Sequence, residues 1–398
     1  MLSDKKFRVF FITTMVLFLI ISCGKSQDVA DQVVLHPVES NIPYHDHSHI
    51  PVSKINSGGD EDGKQFGLKK YLQNQSDDSG IKLDVQTMGP THLFAESIDE
   101  SRIVILDDRN HTMIEYDLES NKASEIATFG RGPGSISNVR DMTLKGNILY
   151  VAMQGARLSA FDCSQIPCSY TKEIFLEEIS PYSADVNSEQ VAALGMKPVS
   201  GQTSGNDALQ FIPVHLFDND GKLLKSGGKS YDTKGNWMLV RPFTEGIIRF
   251  LPENRGYLVA YNRLPYLFVY DTDLNLVESF EFEDFILGKQ EYFPQEGRLN
   301  IVKEDHSTIK NLRLRKNGSV LVEIETRENI IRAERRYVWD QKSDFYRVYL
   351  DDKRYEYLGE VVFGETDSRQ AVLLTDHGII EANSDDLKWI GLEFNQNF

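Results

Sequence analysis

From residue 81 onward, the chain alternates apolar and polar residues in short runs. Their length and their β-branched and aromatic residues predict strands. Turn residues separate the runs, as at Lys145–Asn147 and Lys316–Gly318, and no amphipathic helical pattern exceeds about three turns. We therefore expect an almost wholly β domain over residues 81–398. The clearest runs are Ile81–Val85, Ile103–Leu106, Ile148–Ala152, Tyr257–Tyr261, Val320–Ile324 and Ala371–Leu374.

The strands repeat as a group. Four units end a strand on an aromatic residue followed by aspartate, and these aspartates are 45, 56 and 53 residues apart. A repeat of roughly this length with four short strands is typical of β-propeller blades. The four pairs are Tyr116-Asp117, Phe161-Asp162, Phe217-Asp218 and Tyr270-Asp271, and Tyr349-Leu350-Asp351 is a degenerate fifth copy.

The spacing predicts a six-bladed propeller, although five or seven blades also fit. The six predicted blades cover residues 97–130, 139–177, 185–230, 245–285, 305–355 and 362–395. Ile81–Gln86 is expected to close the ring against the last blade. The departures from the period at Val191–Asp207 and Phe285–Asn300 are expected to be loops at the mouths of the ring.

The repeated aromatic-aspartate pairs predict a structural role. An aromatic side chain at the end of a strand can fill the space between neighbouring blades. The following aspartate can accept hydrogen bonds from backbone N–H groups two residues further on. We therefore interpret Asp117, Asp162, Asp218 and Asp271 as turn residues and not as catalytic carboxylates.

The amino terminus has the pattern of a signal peptide. Lys5, Lys6 and Arg8 precede an apolar run over residues 9–21, which is too short to span a bilayer comfortably. Residues 20–23, Ile-Ile-Ser-Cys, resemble the lipobox at which bacterial lipoproteins are cleaved. This predicts removal of residues 1–22 and lipidation of Cys23, with acyl chains that hold the protein on a membrane. The alternative is an ordinary secretory signal.

Residues 23–80 are polar, show no sustained apolar period and are predicted to form a flexible tether. Within it, His45, His47 and His49 alternate with other residues, so they could chelate a divalent metal. A solvated linker is the favoured interpretation, because no further histidine or carboxylate frame fixes the geometry.

A glycine-rich segment follows the first predicted blade. Its sequence, Gly-Arg-Gly-Pro-Gly over residues 130–134, leads into a strand that starts at Val139. Together with the lipobox, the polar tether and the repeat, it resembles the TolB-like six-bladed propeller lipoproteins of Bacteroidetes, over about residues 81–396. The resemblance implies a periplasmic or surface lipoprotein, and it transfers no catalytic residue to this chain.

The same segment could be interpreted as a phosphate loop, because closely spaced glycines can turn N–H groups toward an anion. The spacing argues against this: Ser135 and strand-like residues follow, and Pro133 has no N–H. We interpret it as a turn between blades, with Arg131 as a candidate pocket residue.

Charge indicates which partners are disfavoured, and the cysteine content is interpreted for an exported protein. The chain carries a net charge of -17, and removal of residues 1–22 makes it about -19, which disfavours nucleic acid and anionic lipid as partners. Besides Cys23, the cysteines are Cys163 and Cys168, which in an exported protein are expected to form a hairpin disulfide. A redox pair or half a metal site is the alternative, but the spacing is not Cys-x-x-Cys.

Two functions remain open. The first is a membrane-anchored binding module whose propeller holds a protein or an extracellular glycan or peptide, with no cofactor. The second is a metal-dependent hydrolase or lactonase, with Ca²⁺ or Zn²⁺ held in the central tunnel by Glu, Asp and Asn from several blades. We expect an outer-membrane location in both cases. The candidate residues for either site, each near a strand end, are Glu96, Asp107, Asp108, Asp141 and Asn262.

Overall fold

The structure is a computed structural model of the chain. It describes residues 81–83, 93–110, 112–198, 211–228, 244–288, 305–315, 317–333, 336–366, 371–382 and 387–391. It also describes the short strands Val33–Leu35, Val52–Lys54, Asn56–Ser57, Gln290–Phe293 and Arg298–Ile301. The predicted signal peptide, Cys23, and the histidines His45, His47 and His49 lie outside the described residues.

Six antiparallel four-stranded sheets form a six-bladed β-propeller, as the sequence predicts. In each blade the innermost strand lines the axis. Blade 1 consists of Leu93–Ser97, Arg102–Asp107, Thr112–Asp117 and Lys122–Thr128; blade 2 of Val139–Lys145, Ile148–Met153, Arg157–Asp162 and Ser169–Phe175; blade 3 of Pro181–Val186, Gln190–Pro198, Phe211–Asp218 and Leu223–Gly227.

Blades 4 to 6 follow the same order, from the inner strand outward. Blade 4 consists of Gly246–Phe250, Tyr257–Tyr261, Tyr266–Tyr270 and Leu276–Glu281; blade 5 of His306–Leu314, Ser319–Ala333, Arg336–Tyr349 and Arg354–Thr366; blade 6 of Ala371–Leu374, Gly378–Ala382, Leu387–Gly391 and Ile81–Leu83.

The predicted closing strand is confirmed. Ile81–Leu83 pairs antiparallel with Leu387–Gly391, so that Leu83 lies opposite Leu387 and Ile81 opposite Trp389. The last blade therefore takes three strands from residues 371–391 and one from residues 81–83, which precede blade 1. This pairing joins blade 6 to the segment that leads into blade 1.

Several predicted boundaries were wrong. Blade 5 continues to Thr366, and blade 6 begins only at Ala371 and not at residue 362, because the strands of blade 5 are unusually long. The predicted loop Val191–Asp207 begins as the strand Gln190–Pro198. The predicted loop Phe285–Asn300 contains Gln290–Phe293, which pairs with Arg298–Ile301.

The buried core of the described residues divides into six clusters, one between each pair of neighbouring blades. For example, Val104 and Met113 of blade 1 pack against Met142 and Leu149 of blade 2. Because neighbouring blades cover each other's faces, strands in the interior of a blade can have apolar side chains on both sides. This explains why runs such as Tyr257–Tyr261 are buried throughout.

The aromatic-aspartate pairs have the predicted structural role. Tyr116, Phe161, Phe217 and Tyr270 are fully buried, and each belongs to the cluster shared with the preceding blade. Each following aspartate accepts backbone N–H groups of the next turn. The donors are Glu119 and Ser120 to Asp117 (2.9 and 2.8 Å), Ser164 to Asp162 (2.9 Å), Asp220 and Lys222 to Asp218 (3.0 and 2.9 Å), and Asp273 and Asn275 to Asp271 (both 2.8 Å).

A disulfide joins Cys163 to Cys168 in the turn before the outer strand of blade 2. The turn lies against blade 1. The Cys168 N–H donates to Glu115 Oε2 (2.7 Å), and Arg102 Nη1 donates to the Cys163 carbonyl oxygen (3.3 Å). The disulfide thus fixes a loop whose polar backbone groups dock on the neighbouring blade.

Strands from the predicted tether also pair with the propeller. Val52–Lys54 runs parallel to the outer strand of blade 4, and Asn56–Ser57 runs parallel to the outer strand of blade 5. Val33–Leu35 pairs with Gln290–Phe293. In the described part of the chain, no helix has the length and apolar character needed to cross a bilayer.

The closing strand gives a first test. Leu83 is 2% exposed and packs with the cluster between blades 6 and 1, whereas Ile81 on the same strand is 39% exposed. We expect Leu83→Ala to lower the free energy of unfolding by about 2–5 kcal/mol, because a buried leucine leaves a cavity. Urea unfolding of the full chain measures this.

Ile81→Ala is the matched control, with an expected loss of less than about 1 kcal/mol because its side chain is partly in water. Equal losses for Leu83→Ala and Ile81→Ala would show that the strand does not seal the ring.

Candidate functional site

A cavity of about 350 Å³ lies on the propeller axis, at the end where the inner strands begin. We call it the axial cavity. All six blades line it, each through its inner strand. The lining includes Leu93–Ala95, Arg140–Met142, Tyr182, Gly246, Ile247, Arg249, Lys310, Asn311, Arg313 and Ala371–Leu373, with Glu245, Asn262, Glu323 and Glu325 from neighbouring positions.

Arg249 of blade 4 forms a bidentate ion pair with Asp141 of blade 2. Its Nη1 lies 2.9 Å from Oδ2 and its Nη2 lies 3.2 Å from Oδ1. Ser183 of blade 3 donates its hydroxyl to Asp141 and accepts the Ile248 N–H at 3.1 Å. Burial acts to lower the pKa of Arg249, but the neighbouring Asp141 raises it. The guanidinium therefore stays charged. One buried ion pair thus connects three consecutive blades.

A second arginine connects the other three blades. Arg313 of blade 5 is paired with the buried Glu96 of blade 1. Its Nη2 donates to the carbonyl oxygens of Ala95 and of Leu374 in blade 6, both at 2.9 Å. Burial raises the pKa of Glu96 to about 7, against the lowering effect of Arg313. The two arginine pairs lie on opposite halves of the ring. Between them they connect all six blades at the axis.

Two glutamates from the second strand of blade 5 line the cavity, and their pKa values are shifted in opposite directions. Burial raises the pKa of Glu323 to about 8, and Ser343 donates to this side chain at 3.0 Å. This shift favours the protonated form of Glu323, which can donate a hydrogen bond. Although burial opposes it, Lys310 and Arg327 lower the pKa of Glu325, which lies 3.5 Å from Lys310 Nζ and 2.9 Å from Arg327 Nη2.

Asn262 lines the cavity and carries an unused acceptor. Its backbone is fixed by two hydrogen bonds, from its N–H to the Glu245 carbonyl (2.9 Å) and from the Ile309 N–H to its own carbonyl (2.8 Å). Its side-chain Oδ1 is buried and has no hydrogen-bond partner. A buried acceptor without a donor costs free energy, so a ligand N–H or O–H placed there would gain a full hydrogen bond.

The structure brings only two of the predicted pocket residues, Asp141 and Asn262, into the cavity. Glu96 is buried in its ion pair beside it. Asp107 accepts the N–H groups of Arg109 and Asn110 in a turn (2.9 and 3.1 Å), and Asp108 accepts the Val139 N–H at the start of blade 2 (2.9 Å).

Arg131 lies in an exposed loop and does not line the cavity. That loop is held by its backbone: the Gly130 N–H donates to Ile136 O (3.0 Å), and Arg157 Nη2 donates to the carbonyls of Gly132 and Ser135 (both 3.4 Å). Gly134 has φ +75°, and a Cβ there would lie 3.1 Å from the Tyr170 Cβ. These contacts are those of a turn between blades.

A divalent cation shared between blades does not fit this donor set. Within the described ranges, no group of three or more His, Cys, Asp and Glu side chains converges as metal ligands would. Asp141, Glu96 and Glu325 each contact a guanidinium, so their charge is already compensated. These three carboxylates act as partners of arginine.

Sequence reasoning missed Arg249, Arg313 and Lys310. The signal that could have found them is a charged residue inside a short apolar strand, as in Gly246–Phe250 and Asn311–Leu314. Such a charge must point to the axis or to solvent, because both faces of the sheet are covered by other blades.

The axial ion pair gives a second test. Arg249→Met leaves Asp141 buried without its partner. Asp141→Asn leaves Arg249 buried without its partner. We expect each change to lower the free energy of unfolding by about 3–5 kcal/mol, and the double variant to lose clearly less than the sum. Urea unfolding of the full chain is the measurement.

Lys225→Met is the control. It removes an exposed ion pair with Asp273 (2.7 Å) and is expected to cost at most about 1 kcal/mol. If the double variant loses as much free energy of unfolding as the Arg249 and Asp141 single variants together, the two side chains are not coupled.

Comparison with known proteins gives similar solved structures but no family. No family model matches this sequence, and no curated protein matches it. Among solved structures, a member of the DUF4221 family from Bacteroides vulgatus is similar, with 10% identity over 78% of this chain and 95% of that chain and a TM-score of 0.47. A protein from Bacteroides fragilis whose name describes it as exported is also similar (11% identity, 83% of this chain, 88% of that chain, TM-score 0.45).

Proposed function

We propose that this protein is a binding module whose axial cavity holds a polar group of an extracellular ligand, a sugar residue of a glycan or a side chain of a peptide. The observation that carries the proposal is the cavity that all six blades line, with Asn262, whose buried side-chain Oδ1 has no hydrogen-bond partner, among its lining residues. Small-ligand sites are usually concave, with a few polar groups that converge on the ligand.

The charges around the cavity support a neutral polar ligand. Arg249 is neutralised by Asp141, and Lys310 and Arg327 lie beside Glu325. A protonated Glu323 would offer a donor and Asn262 an acceptor, and hydroxyl and amide groups can pair with either. Phe94 and Tyr182 provide aromatic surface in the same cavity.

We further propose that the protein belongs with the TolB-like propeller lipoproteins and is anchored to the outer membrane through lipid on Cys23. The support for this is the lipobox-like sequence at residues 20–23, the preceding basic and apolar segments, and the glycine-rich segment at residues 130–134. The propeller would then present its axial cavity to ligands near the membrane.

Asn262→Leu tests the binding site. Leucine has nearly the same size but offers no acceptor, and it also removes an unsatisfied buried polar atom. We therefore expect the free energy of unfolding to stay constant or to rise, while binding weakens at least about tenfold. The full-length protein is applied to arrays of glycans and short peptides, and the affinity of the strongest ligand is then measured by titration calorimetry.

Ser279→Ala is the matched control, because the Ser279 Oγ is also buried without a partner but lies on the outer strand of blade 4, away from the cavity. It should leave the affinity unchanged. A ligand that binds the Asn262→Leu protein as tightly as the wild type would place the site elsewhere.

Cys23→Ser tests the anchor. The substituted protein should either leave the membrane fraction or stay there as the uncleaved precursor, since a serine cannot receive the thioether-linked lipid. Its urea midpoint should equal that of the wild type, because Cys23 precedes the propeller. Ser22→Ala keeps a small residue before the cysteine and should remain in the membrane fraction. Retention in carbonate-washed membranes of a Cys23→Ser protein that has lost residues 1–22 would contradict lipid anchoring.

A further inference from the structure

A second cavity lies where blade 5 extends beyond blade 4. The four strands of blade 5 have 9, 15, 14 and 13 residues, whereas those of blade 4 have 5, 5, 5 and 6. The face of blade 5 that is turned toward blade 4 is therefore only partly covered. A cavity of about 340 Å³ lies on the uncovered part, bounded on the other side by residues 282–286. We call it the side cavity.

Aromatic rings form one wall of the side cavity. Tyr346 is at the centre, with ring centroids 5.6 Å from Phe282, 5.5 Å from Tyr355 and 5.4 Å from Tyr357. Phe282 is buried, while Tyr357 is 44% exposed at the cavity's edge. The rings therefore form a continuous aromatic cluster beside the space between the blades.

The remaining polar groups make the side cavity strongly negative. Lys342 is the single basic residue in its lining. Five carboxylates also line it, those of Glu283, Asp284, Glu328, Asp344 and Glu360. Lys342 Nζ lies 3.3 Å from Asp344 Oδ2, and the Tyr357 hydroxyl donates to Asp344 Oδ1 at 3.0 Å. Although burial opposes it, Asp344 raises the pKa of Lys342, so the cavity already stabilises one ammonium group of the protein itself.

We propose that the side cavity binds an alkylammonium group. Aromatic faces attract organic cations through their quadrupole, and the surrounding carboxylates add long-range attraction. An anion would face five carboxylates, and an apolar ligand would leave them desolvated without compensation. The cavity volume exceeds the space taken by one ammonium head, so a quaternary ammonium or a lysine side chain can enter beside Lys342.

The site is separate from the axial cavity. Its residues come from the outer three strands of blade 5 and the segment after blade 4, and no residue lines both cavities. Loss of one binding activity therefore does not imply loss of the other.

The experiment is a ligand-observed NMR titration of the full-length protein. Choline represents a free quaternary ammonium, Nα-acetyl-lysine amide represents a peptide side chain, and 3,3-dimethyl-1-butanol is the neutral isostere of choline. We expect at least one of the two cations to bind at least tenfold more tightly than the neutral isostere. Which cation binds more tightly identifies the source of the ligand. Raised salt should weaken binding.

Substitutions locate the site. Tyr357→Ala should weaken cation binding about tenfold, whereas Tyr357→Phe, which keeps the ring, should stay within threefold of the wild type. Lys342→Met frees Asp344 for the ligand and should tighten binding at least threefold. Asn262→Leu in the axial cavity should change nothing.

Equal binding of choline and its neutral isostere would overturn the proposal. So would a lack of cation binding in both the wild type and Lys342→Met, because the internal ammonium cannot then be the competitor.

Discussion

The packing of one blade against the next is the interaction on which the rest of the structure depends. Each blade has two apolar faces, and a four-stranded sheet alone cannot remove both from water. Six interblade clusters do so in a closed ring, of which the cluster between blades 6 and 1 needs Leu83 from the closing strand. The aromatic residues before the turns, such as Phe161 and Phe217, fill these interfaces, and burying one contributes about 1.5–3 kcal/mol.

Packing leaves the axis as the one place where strands of all blades meet without another sheet to cover them. Here polar chemistry replaces apolar contact. Arg249 reaches Asp141 across blade 3, and Arg313 reaches Glu96 beside blade 6. A chain of net charge -17 thus concentrates guanidinium groups at its centre. The same groups that hold the ring together form the wall of the axial cavity, so stability and binding share residues there.

The sequence was sufficient for the fold because the repeat is local. Strand runs, aromatic-aspartate pairs and the closing strand Ile81–Leu83 are each visible in a few consecutive residues. The axial cavity could be predicted only in part, since Arg249 lies 108 residues from Asp141 and Arg313 lies 217 from Glu96. Asp107 and Asp141 look alike in the sequence, and only the three-dimensional path of the strands makes one a turn residue and the other an axial partner. Blade 5 was misjudged because its long strands exceed the period of the others.

The closing strand also constrains how the protein is made. Leu83 pairs with Leu387, about 300 residues later, so the ring cannot close until residue 387 has emerged. Until then, the strand Ile81–Leu83 remains unpaired. The face of blade 1 that later packs against blade 6 remains uncovered. Blades 2 to 5 can assemble in order as they emerge, but the final step joins the two ends of the domain at once. Biogenesis is therefore expected to be slowest, and most exposed to aggregation, just before this seam forms.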